Sequence, residues 1–301
     1  MISVVVDGGQ TKTEVMLIDG EERVESWLER PILHPASSEG MTRLTEIVTS
    51  LLTKLTSLHK GKNSYQLAFS LSGFHGEAFI VSHIQNLVQT FPLLITKTLV
   101  IPDYVGNWSS VTNGGPGIVI LSGGGTIAYG ENEQGKSCRL GGWGHLLGDE
   151  GSGYWFGLET IKAALRSMNG LTDITPLQEV VKDYFHINQE FELTHALYSG
   201  RYSDQEIAFL LPKLDEIVQK GDPIAIDIIQ TGVSYLVKLG VKMVEKLGDI
   251  PIYTSGGVFR ALSIQKEFLH QMQVKGLLVK NHTIVKPAYG ILRYLELHKK
   301  E

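Results

Sequence analysis

Apolar residues cluster in short runs over the opening of the chain, in the way that is typical of β-strands. An apolar, β-branched run covers Ile2–Val6 and ends at an Asp-Gly-Gly turn, and similar runs follow at Thr13–Ile18 and Arg23–Leu28. Runs of this length, separated by turn residues, predict a hairpin or meander of three strands.

Helical and extended patterns alternate after this opening. Apolar residues recur at helical spacing over Met41–His59, which predicts an amphipathic helix. The next predicted elements are a strand at Tyr65–Leu71, a helix at Glu77–Thr90, a strand at Thr98–Ile101 and a short helix at Val105–Val111. The resulting order, β-β-β-α-β-α-β-α, is typical of an α/β fold.

A second β-rich opening follows, with predicted strands at Ile118–Leu121, Thr126–Gly130 and Ser137–Leu140. Both halves of the chain therefore begin with an apolar strand, a glycine-rich turn and a second strand. Such weak self-similarity suggests two related subdomains. The sequence thus predicts an α/β protein with two strand-opened halves.

Residues 152–247 have an almost entirely helical pattern, which predicts a helical insertion in the second half. Asp222 is expected to cap a long helix over Pro223–Leu247, because proline is favoured at the first helical position. The elements predicted after it are a strand at Pro251–Thr254, a helix at Val258–Leu269, a short strand at Leu277–Val279 and a terminal helix at Pro287–His298.

Composition narrows the class of protein. An apolar fraction of 43% and a charged fraction of 20% allow a substantial core, and a net charge of -5 without a basic stripe argues against a nucleic-acid partner. No run of 18 apolar residues and no basic amino-terminal region is present, so we expect neither a transmembrane helix nor a signal peptide. Cys138 is the one cysteine, which favours a reducing cytoplasm.

Glycine is concentrated in one part of the chain. Of the 33 glycines, 16 lie between Gly106 and Gly157. Glycine lets backbone approach a ligand closely because no Cβ intervenes. This segment is therefore where we expect much of the functional site.

Two glycine turns between strands predict phosphate binding. The first has the sequence DGGQTKT over residues 7–13, and the second has SGGGT over residues 122–126. Backbone N–H groups in such turns can close on a phosphate, and Asp7 at a strand end is suited to hold hydrated Mg²⁺. Neither turn has the spacing of a Walker A loop or precedes a helix as a Rossmann loop does. Taken separately, each of the two sequences is also compatible with an ordinary tight hairpin.

Asp103 follows a predicted strand at its carboxyl end, where open α/β sheets bind ligands. A carboxylate there could accept a substrate hydroxyl's proton during phosphoryl transfer. It could equally cap the following helix. Gly256 and Gly257 precede another predicted helix, at a turn that is either a ligand contact or a simple strand-to-helix connection.

The sequence GGWGHLLGDEGSGYW, residues 141–155, combines six glycines with two tryptophans. Backbone donors, a stacking ring and fixed carboxylates suit a sugar site. The structural alternatives are helix capping for Asp149 and Ser152 and core packing for Trp155. His145 is expected to form structural hydrogen bonds rather than act as a base.

These motifs occur in the order found in the N-acetylglucosamine kinase-like members of the BadF/BadG/BcrA/BcrD group, which this chain resembles from Asp7 to the terminal helix. That group lies within the sugar-kinase/actin-like ATPase superfamily. The resemblance implies two RNase H-like domains, residues 1–113 with 287–301 and residues 114–286, with ATP and a sugar bound in the cleft between them. It also implies phosphorylation of N-acetylglucosamine at its 6-hydroxyl, with Asp103 as the general base.

The same resemblance assigns the other site residues. ATP and Mg²⁺ would be bound by Asp7, with ATP also contacting Gly8, Gly9, Gln10, Thr11, Lys12, Gly123, Gly124, Gly125, Gly256 and Gly257. The sugar would contact His34, Ser72, Asp103, Thr126, Ile127, Gly142, Trp143, Gly144 and Asp149. The implied partners are a hexosamine and ATP, with no nucleic acid or membrane, and a homodimer is left open.

Three departures from the family pattern affect the choice of sugar. Gln10 replaces a third glycine in the first turn, His34 lies near the position of a sugar-binding asparagine, and Ile127 replaces a polar residue. Glucosamine, N-acetylmuramic acid and glucose therefore remain alternative substrates.

Two other classes share the fold. One comprises ATP-driven activators of 2-hydroxyacyl-CoA dehydratases, which hold an iron–sulfur cluster with cysteines; the single Cys138 argues against that class. The other comprises sugar sensors that carry a DNA-binding segment, and the chain has no extra domain before Asp7.

Overall fold

The chain folds into two units, Met1–Gly115 with His282–Glu301 and Pro116–Asn281. The structure is a computed structural model, and it describes residues 1–9, 12–20, 22–59, 64–280 and 287–298. The domain limits expected from the sequence stay a prediction.

The elements of the first unit are those expected, with bounds that are slightly longer, except that α2 is one residue shorter at each end. They are β1 (Ile2–Gly8), β2 (Thr13–Asp19), β3 (Glu22–Glu29), α1 (Ser38–His59), β4 (Ser64–Leu71), α2 (Ala78–Gln89), β5 (Leu94–Pro102) and α3 (Asp103–Thr112). The second unit contains β6 (Gly117–Ser122), β7 (Thr126–Glu131), β8 (Ser137–Gly141), α4 (Gly153–Met168), α5 (Leu177–Phe185), α6 (Glu190–Tyr198), α7 (Asp204–Ala208), α8 (Leu211–Gln219), α9 (Pro223–Leu247), β9 (Ile252–Ser255) and α10 (Leu262–Val274). The last helix, α11 (Pro287–Leu297), returns to the first unit.

The two sheets have the same strand order. In the first unit the order is β3-β2-β1-β4-β5, with β1, β4 and β5 parallel to one another and β2 antiparallel to β1. In the second the order is β8-β7-β6-β9, and Val279 extends it by a parallel bridge to Ile252. This agreement is the structural basis of the self-similarity seen in the sequence.

The first sheet is apolar on both faces because helices cover both. Val4 and Val6 of β1 are completely buried with the α1 residues Leu44 and Val48. On the other face, α3 and α11 lie against β4. Continuous apolar strands of this kind are typical of a sheet with two covered faces.

Helix α9 is the central helix of the second unit. Asp222 caps it by accepting a hydrogen bond from the Ala225 N–H at 2.8 Å, which confirms the predicted start. Within the described residues it is a helix long and apolar enough to cross a membrane by length and composition. However, Val233, Leu236 and Met243 are buried in the core of the unit, which accounts for its apolar content without a membrane.

Two predictions near the end of the second unit were wrong in detail. The single helix expected over Val258–Leu269 is a 3₁₀ turn, Gly257–Arg260, followed by α10. The Asp215 carboxylate on α8 accepts hydrogen bonds from the N–H groups of Leu262 and Ser263, at 3.3 and 3.0 Å, and so starts the new helix from a distant element. The strand expected at Leu277–Val279 is reduced to the bridge at Val279.

Close packing of α11 on α3 depends on Gly290. A Cβ at this position would lie 2.3 Å from the Ser110 nitrogen and 2.4 Å from the Gly106 oxygen, both of them backbone atoms. We therefore expect Gly290→Ala to lower the free energy of unfolding by about 2 kcal/mol or more, since the helices must move apart. Chemical denaturation measures the change, and the neighbouring Tyr289→Ala, at a more exposed position, is the control. Equal stability of the two variants would contradict this account.

Candidate functional site

The parallel strands of the first unit end together at one edge of the sheet. Asp7 lies beside Ser70 in the β1–β4 register, and Leu71 lies beside Pro102 in the β4–β5 register. The Ser72 N–H continues this ladder by donating to the Gly8 oxygen at 2.8 Å. The edge therefore brings together three predicted site residues, Asp7, Ser72 and Asp103.

Asp103 is the first residue of α3, and Pro102 occupies the N-cap position. The capping alternative considered for Asp103 was therefore wrong. Burial raises the pKa of the Asp103 carboxyl, although the Ser72 hydroxyl and the N–H groups of Tyr104 and Asp103 donate hydrogen bonds to it. The residue keeps a partly exposed surface. Asp103 is thus an oriented carboxyl group with increased affinity for a proton.

The Asp7 carboxyl has a pKa of about 6, against an ordinary value of 3.8. Burial is the largest cause, and the negative charges of Asp103 and Glu14 act in the same direction, while Lys12 opposes them. Asp7, Asp103 and Glu14 together form a locally negative site, which a cation would stabilise.

The first glycine turn is described only at its ends. The Gly9 N–H donates to the Lys12 oxygen at 2.9 Å, and a Cβ on Gly8 would lie 2.5 Å from the Ile32 side chain. Lys12 is exposed. Gln10 and Thr11, both predicted to contact ATP, lie outside the described residues.

His34 lies at the same edge. Its oxygen accepts hydrogen bonds from the Ser37 N–H and hydroxyl at 2.9 and 2.8 Å, and a Cβ on Gly40 would lie 2.0 Å from that oxygen. The His34 ring lies against Gly73, where a Cβ would be 3.1 Å from its Cδ2 atom. The exposed ring is therefore held beside the residue that follows Ser72.

The second glycine turn is built into the second unit by backbone hydrogen bonds. The Gly123 N–H donates to the Gly125 oxygen at 2.9 Å, and the Gly153 N–H donates to the Gly123 oxygen at 2.8 Å. Among the described atoms, none would lie within 4 Å of a Cβ on Gly123 or Gly124. This part of the turn is therefore open to a ligand.

Gly256 packs directly on this turn. Its φ of 103° lies in the region that favours glycine, and a Cβ would lie 2.0 Å from the Ser122 oxygen. Gly257, in contrast, faces open space in the described part of the chain. The structure thus brings the predicted adenosine-side turn against the second phosphate turn.

Asp149 lies against the same turn in a left-handed conformation with a φ of 61°. A Cβ on Gly125 would lie 2.5 Å from its Oδ2 atom, so a side chain at this position would displace the Asp149 carboxylate. Burial raises the pKa of the Asp149 carboxyl, while hydrogen bonds from Thr126 and Gly144 N–H groups and the nearby His145 oppose the shift. Its Oδ1 atom is buried without a hydrogen-bond partner among the described residues.

The rest of the predicted sugar loop lies next to Asp149. The Gly142 N–H donates to the Thr126 oxygen at 2.8 Å, and a Cβ on Gly142 would lie 2.6 Å from the Ile127 side chain. Thr126 and Ile127 are buried, whereas Trp143 is 62% exposed with the Arg139 guanidinium 4.2 Å from its ring centre.

Three neighbouring residues, Ser152, Trp155 and His145, make the structural contacts that were considered for them instead of a direct role in the site. The Ser152 hydroxyl caps α4 by accepting from the Trp155 N–H at 3.1 Å. The Trp155 ring packs edge-on against Phe156 in the core. His145 Nδ1 lies 3.2 Å from Asp204 Oδ2, consistent with a structural role.

A cavity of about 360 Å³ in the second unit was not predicted from the sequence. The predicted sugar contacts Thr126 and Asp149 line it, together with Glu150, the end of β8 and one face of α9. The α9 residues include Lys238, Lys242 and Lys246. Their four-residue spacing was visible in the sequence, but nothing in the sequence indicated what that face of α9 borders.

The sequence model of the BadF/BadG/BcrA/BcrD ATPase family matches residues 4–291. The chain is 34% identical over 175 residues to an N-acetylmuramic acid/N-acetylglucosamine kinase from Clostridium acetobutylicum, covering 55% of this chain and 57% of that protein. It is 34% identical over 151 residues to an N-acetyl-D-glucosamine kinase from Dictyostelium discoideum, covering 48% and 47%. The chain thus spans about half the length of the curated relatives it matches.

Solved structures share the whole fold. A protein from Chromobacterium violaceum with a provisional assignment as an N-acetylglucosamine kinase superposes with a TM-score of 0.74 at 17% identity, over 97% of each chain. A ROK family glucokinase from Streptomyces griseus, in complex with glucose and AMPPNP, gives a TM-score of 0.56 at 13% identity over the full length of both chains. The predicted α/β fold with two RNase H-like domains is confirmed.

The raised pKa of Asp7 predicts a pH-dependent stability. The folded state holds the proton more tightly than the unfolded chain, so this stabilisation is complete below pH 3.8 and is lost as the pH rises through about 6. We expect Asp7→Asn to be more stable than the wild type at pH 7.5 by roughly 2 kcal/mol, with a smaller difference at pH 4.5. Denaturant unfolding at both pH values tests this, with the exposed Asp19→Asn as control. A difference that does not change with pH would contradict it.

Proposed function

Because this chain belongs to the BadF/BadG/BcrA/BcrD ATPase family, we propose that it is an ATP-dependent kinase that phosphorylates an amino sugar. The first candidate reaction converts N-acetylglucosamine and ATP into N-acetylglucosamine 6-phosphate and ADP. The observation that carries the proposal is the oriented carboxyl group of Asp103, which lies beside Asp7 at the edge where three parallel strands end. The names of the two curated relatives support the choice of sugar.

Asp103 acts as the general base. The Ser72 hydroxyl donates a hydrogen bond to its carboxylate and so fixes its orientation. As the sugar oxygen bonds to the γ-phosphorus and the bond to the ADP oxygen breaks, the hydroxyl proton passes to Asp103. Burial raises the pKa of the Asp103 carboxyl. A raised pKa makes the carboxylate a stronger base for the hydroxyl proton.

Asp7 and the two glycine turns bind ATP and Mg²⁺. The Asp7 carboxylate fits a hard cation because it is an oxygen ligand in a site made negative by Asp103 and Glu14. Mg²⁺ is commonly held by one or two carboxylates together with substrate phosphates. When bound, the ion neutralises charge on the phosphates. Gly8, Gly9 and Lys12 are the phosphate contacts proposed in the first unit, and Gly123–Gly125 are those proposed in the second, where Gly256 and Gly257 contact the adenosine. Gln10 and Thr11 stay predictions from the sequence.

The second unit recognises the sugar. The unpartnered Oδ1 atom of Asp149 accepts a hydrogen bond from a sugar hydroxyl, which satisfies a buried acceptor. The exposed ring of Trp143 offers an apolar face to the sugar ring. The remaining contacts proposed in this unit are Thr126, Ile127, Gly142 and Gly144. The sugar contacts expected at His34 and Ser72 stay predictions from the sequence.

N-acetylmuramic acid is the second candidate substrate, because one curated relative is named for both sugars. Glucosamine and glucose stay in the set to be tested. We place the enzyme in the cytoplasm, in keeping with the sugar-kinase relatives. A panel of these four sugars in an assay that couples ADP release to NADH oxidation identifies the preferred acceptor.

The role of Asp103 predicts a separation of binding from turnover. Asp103→Asn keeps the size of the side chain but cannot take up the proton, so we expect kcat to fall by about 10²–10⁴-fold. ATP affinity, measured by calorimetry, should change little. Asp183→Asn on the exposed part of α5 is the control and should keep full activity. An Asp103→Asn variant with near-normal kcat would reject the role of Asp103 as base.

A further inference from the structure

The lining of the cavity in the second unit is chemically mixed. It includes the acidic residues Asp149 and Glu150, together with Thr126, and it includes Lys238, Lys242 and other residues of α9. Such a lining suits a ligand that offers hydroxyl or amide donors to the acidic residues and an anionic group to the lysines.

The lysines form a row that follows the helix. Lys238, Lys242 and Lys246 are four residues apart, so they lie on one face of α9 and extend over about 12 Å. Lys242 pairs with Glu245 at 2.6 Å. In the part of the chain that the structure describes, Lys238 and Lys246 have no acidic partner. Two of the three positive charges are therefore available to a ligand.

Tyr235 holds Lys238, the first lysine of the row along α9. Its ring packs edge-on against Trp155, with 6.1 Å between ring centres. Lys238 Nζ lies 4.7 Å from the centre of the same ring. A cation–π contact of this kind holds the ammonium group in place while leaving its N–H donors free to bind an anion.

The Asp149 end of the cavity lies close to this part of α9. A Cβ on Gly151, two residues after Asp149, would lie 2.8 Å from the Gly232 oxygen and 2.9 Å from Leu236. Lys238 follows Leu236 by two residues, so it is the lysine of the row nearest to Asp149 along the helix. Leu140 and Leu239 add apolar surface to the lining of the cavity.

We propose that this cavity is a subsite for an acidic substituent on the hexosamine, and that Lys238 and Lys246 determine specificity for it. The inference rests on the proposed function, since Asp149 and Thr126 are taken there as sugar contacts. A sugar bound by these residues would extend a carboxylate-bearing side group along α9 toward the lysines. The substrate class is thus an amino sugar with an acidic ether or similar extension, rather than a neutral hexosamine alone.

The test compares three sugars with the full-length protein: N-acetylmuramic acid, its methyl ester, which lacks the negative charge, and N-acetylglucosamine. For wild type we expect the acid to have a lower KM than its ester. We expect Lys238→Gln to raise the KM for the acid by about fivefold and Lys238→Gln/Lys246→Gln to raise it further, because each removes an attractive charge at a partly exposed site. The KM values for the ester and for N-acetylglucosamine should stay within twofold. Lys266→Gln, at an exposed lysine of α10, is the matched control.

Equilibrium binding of the same sugars, measured by calorimetry, separates this inference from the proposed function. If N-acetylglucosamine is phosphorylated but the lysine variants have wild-type KM values for the acid and the ester, the subsite is rejected and the proposed kinase activity is retained. If no sugar is phosphorylated, yet the acid binds more weakly to the Lys238→Gln variant than to wild type, the subsite stands and the kinase is rejected. Absence of both turnover and binding rejects both.

Discussion

The carboxyl groups of Asp7 and Asp103 are held near each other at the end of an apolar sheet, where burial makes both negative charges costly and the charge of Asp103 adds to the cost at Asp7. Burial is the largest cause of the raised pKa of each group, and Asp103 is the next cause for Asp7. A folded protein bears such a cost at positions where function requires a reactive or ligand-binding group. Much else at this edge is arranged around the pair: the Ser72 hydroxyl orients Asp103, and α3 begins at Asp103 so that its first N–H groups face the carboxylate.

In the second unit, several backbone segments pack closely against one another around the second glycine turn. Gly125 packs against Asp149, Gly142 packs against Ile127, and Gly256 packs against the Ser122 oxygen. At each of these positions a Cβ would approach a neighbouring atom within 2.6 Å, which real side chains do not do. Glycine therefore acts here by permitting contact between loops, whereas the space at Gly123 and Gly124 stays open.

The lysine face of α9 gives the same unit a feature that the phosphate and sugar turns do not explain. Most of the buried residues of α9 serve the core, and a helix with one apolar face commonly has a charged opposite face that is merely solvated. What distinguishes this face is that three of its lysines border a cavity shared with Thr126 and Asp149. Charge on a solvated helix has little consequence, whereas charge on a cavity wall selects among ligands.

The sequence by itself determined the elements and their order, because apolar periodicity and glycine turns are local signals: the strands of both sheets, the Asp222 cap of α9 and the glycine-dense segment were all readable from it. It also indicated the two phosphate turns and the sugar loop, whose roles stay predictions. Only the tertiary structure decided which distant residues meet. The Asp215 carboxylate starts α10 from another helix, Ser72 meets Asp103, and the exposed row of lysines borders a cavity. These contacts join residues far apart in the chain, and hydrophobic pattern specifies only that a face is buried or exposed, not what lies opposite it.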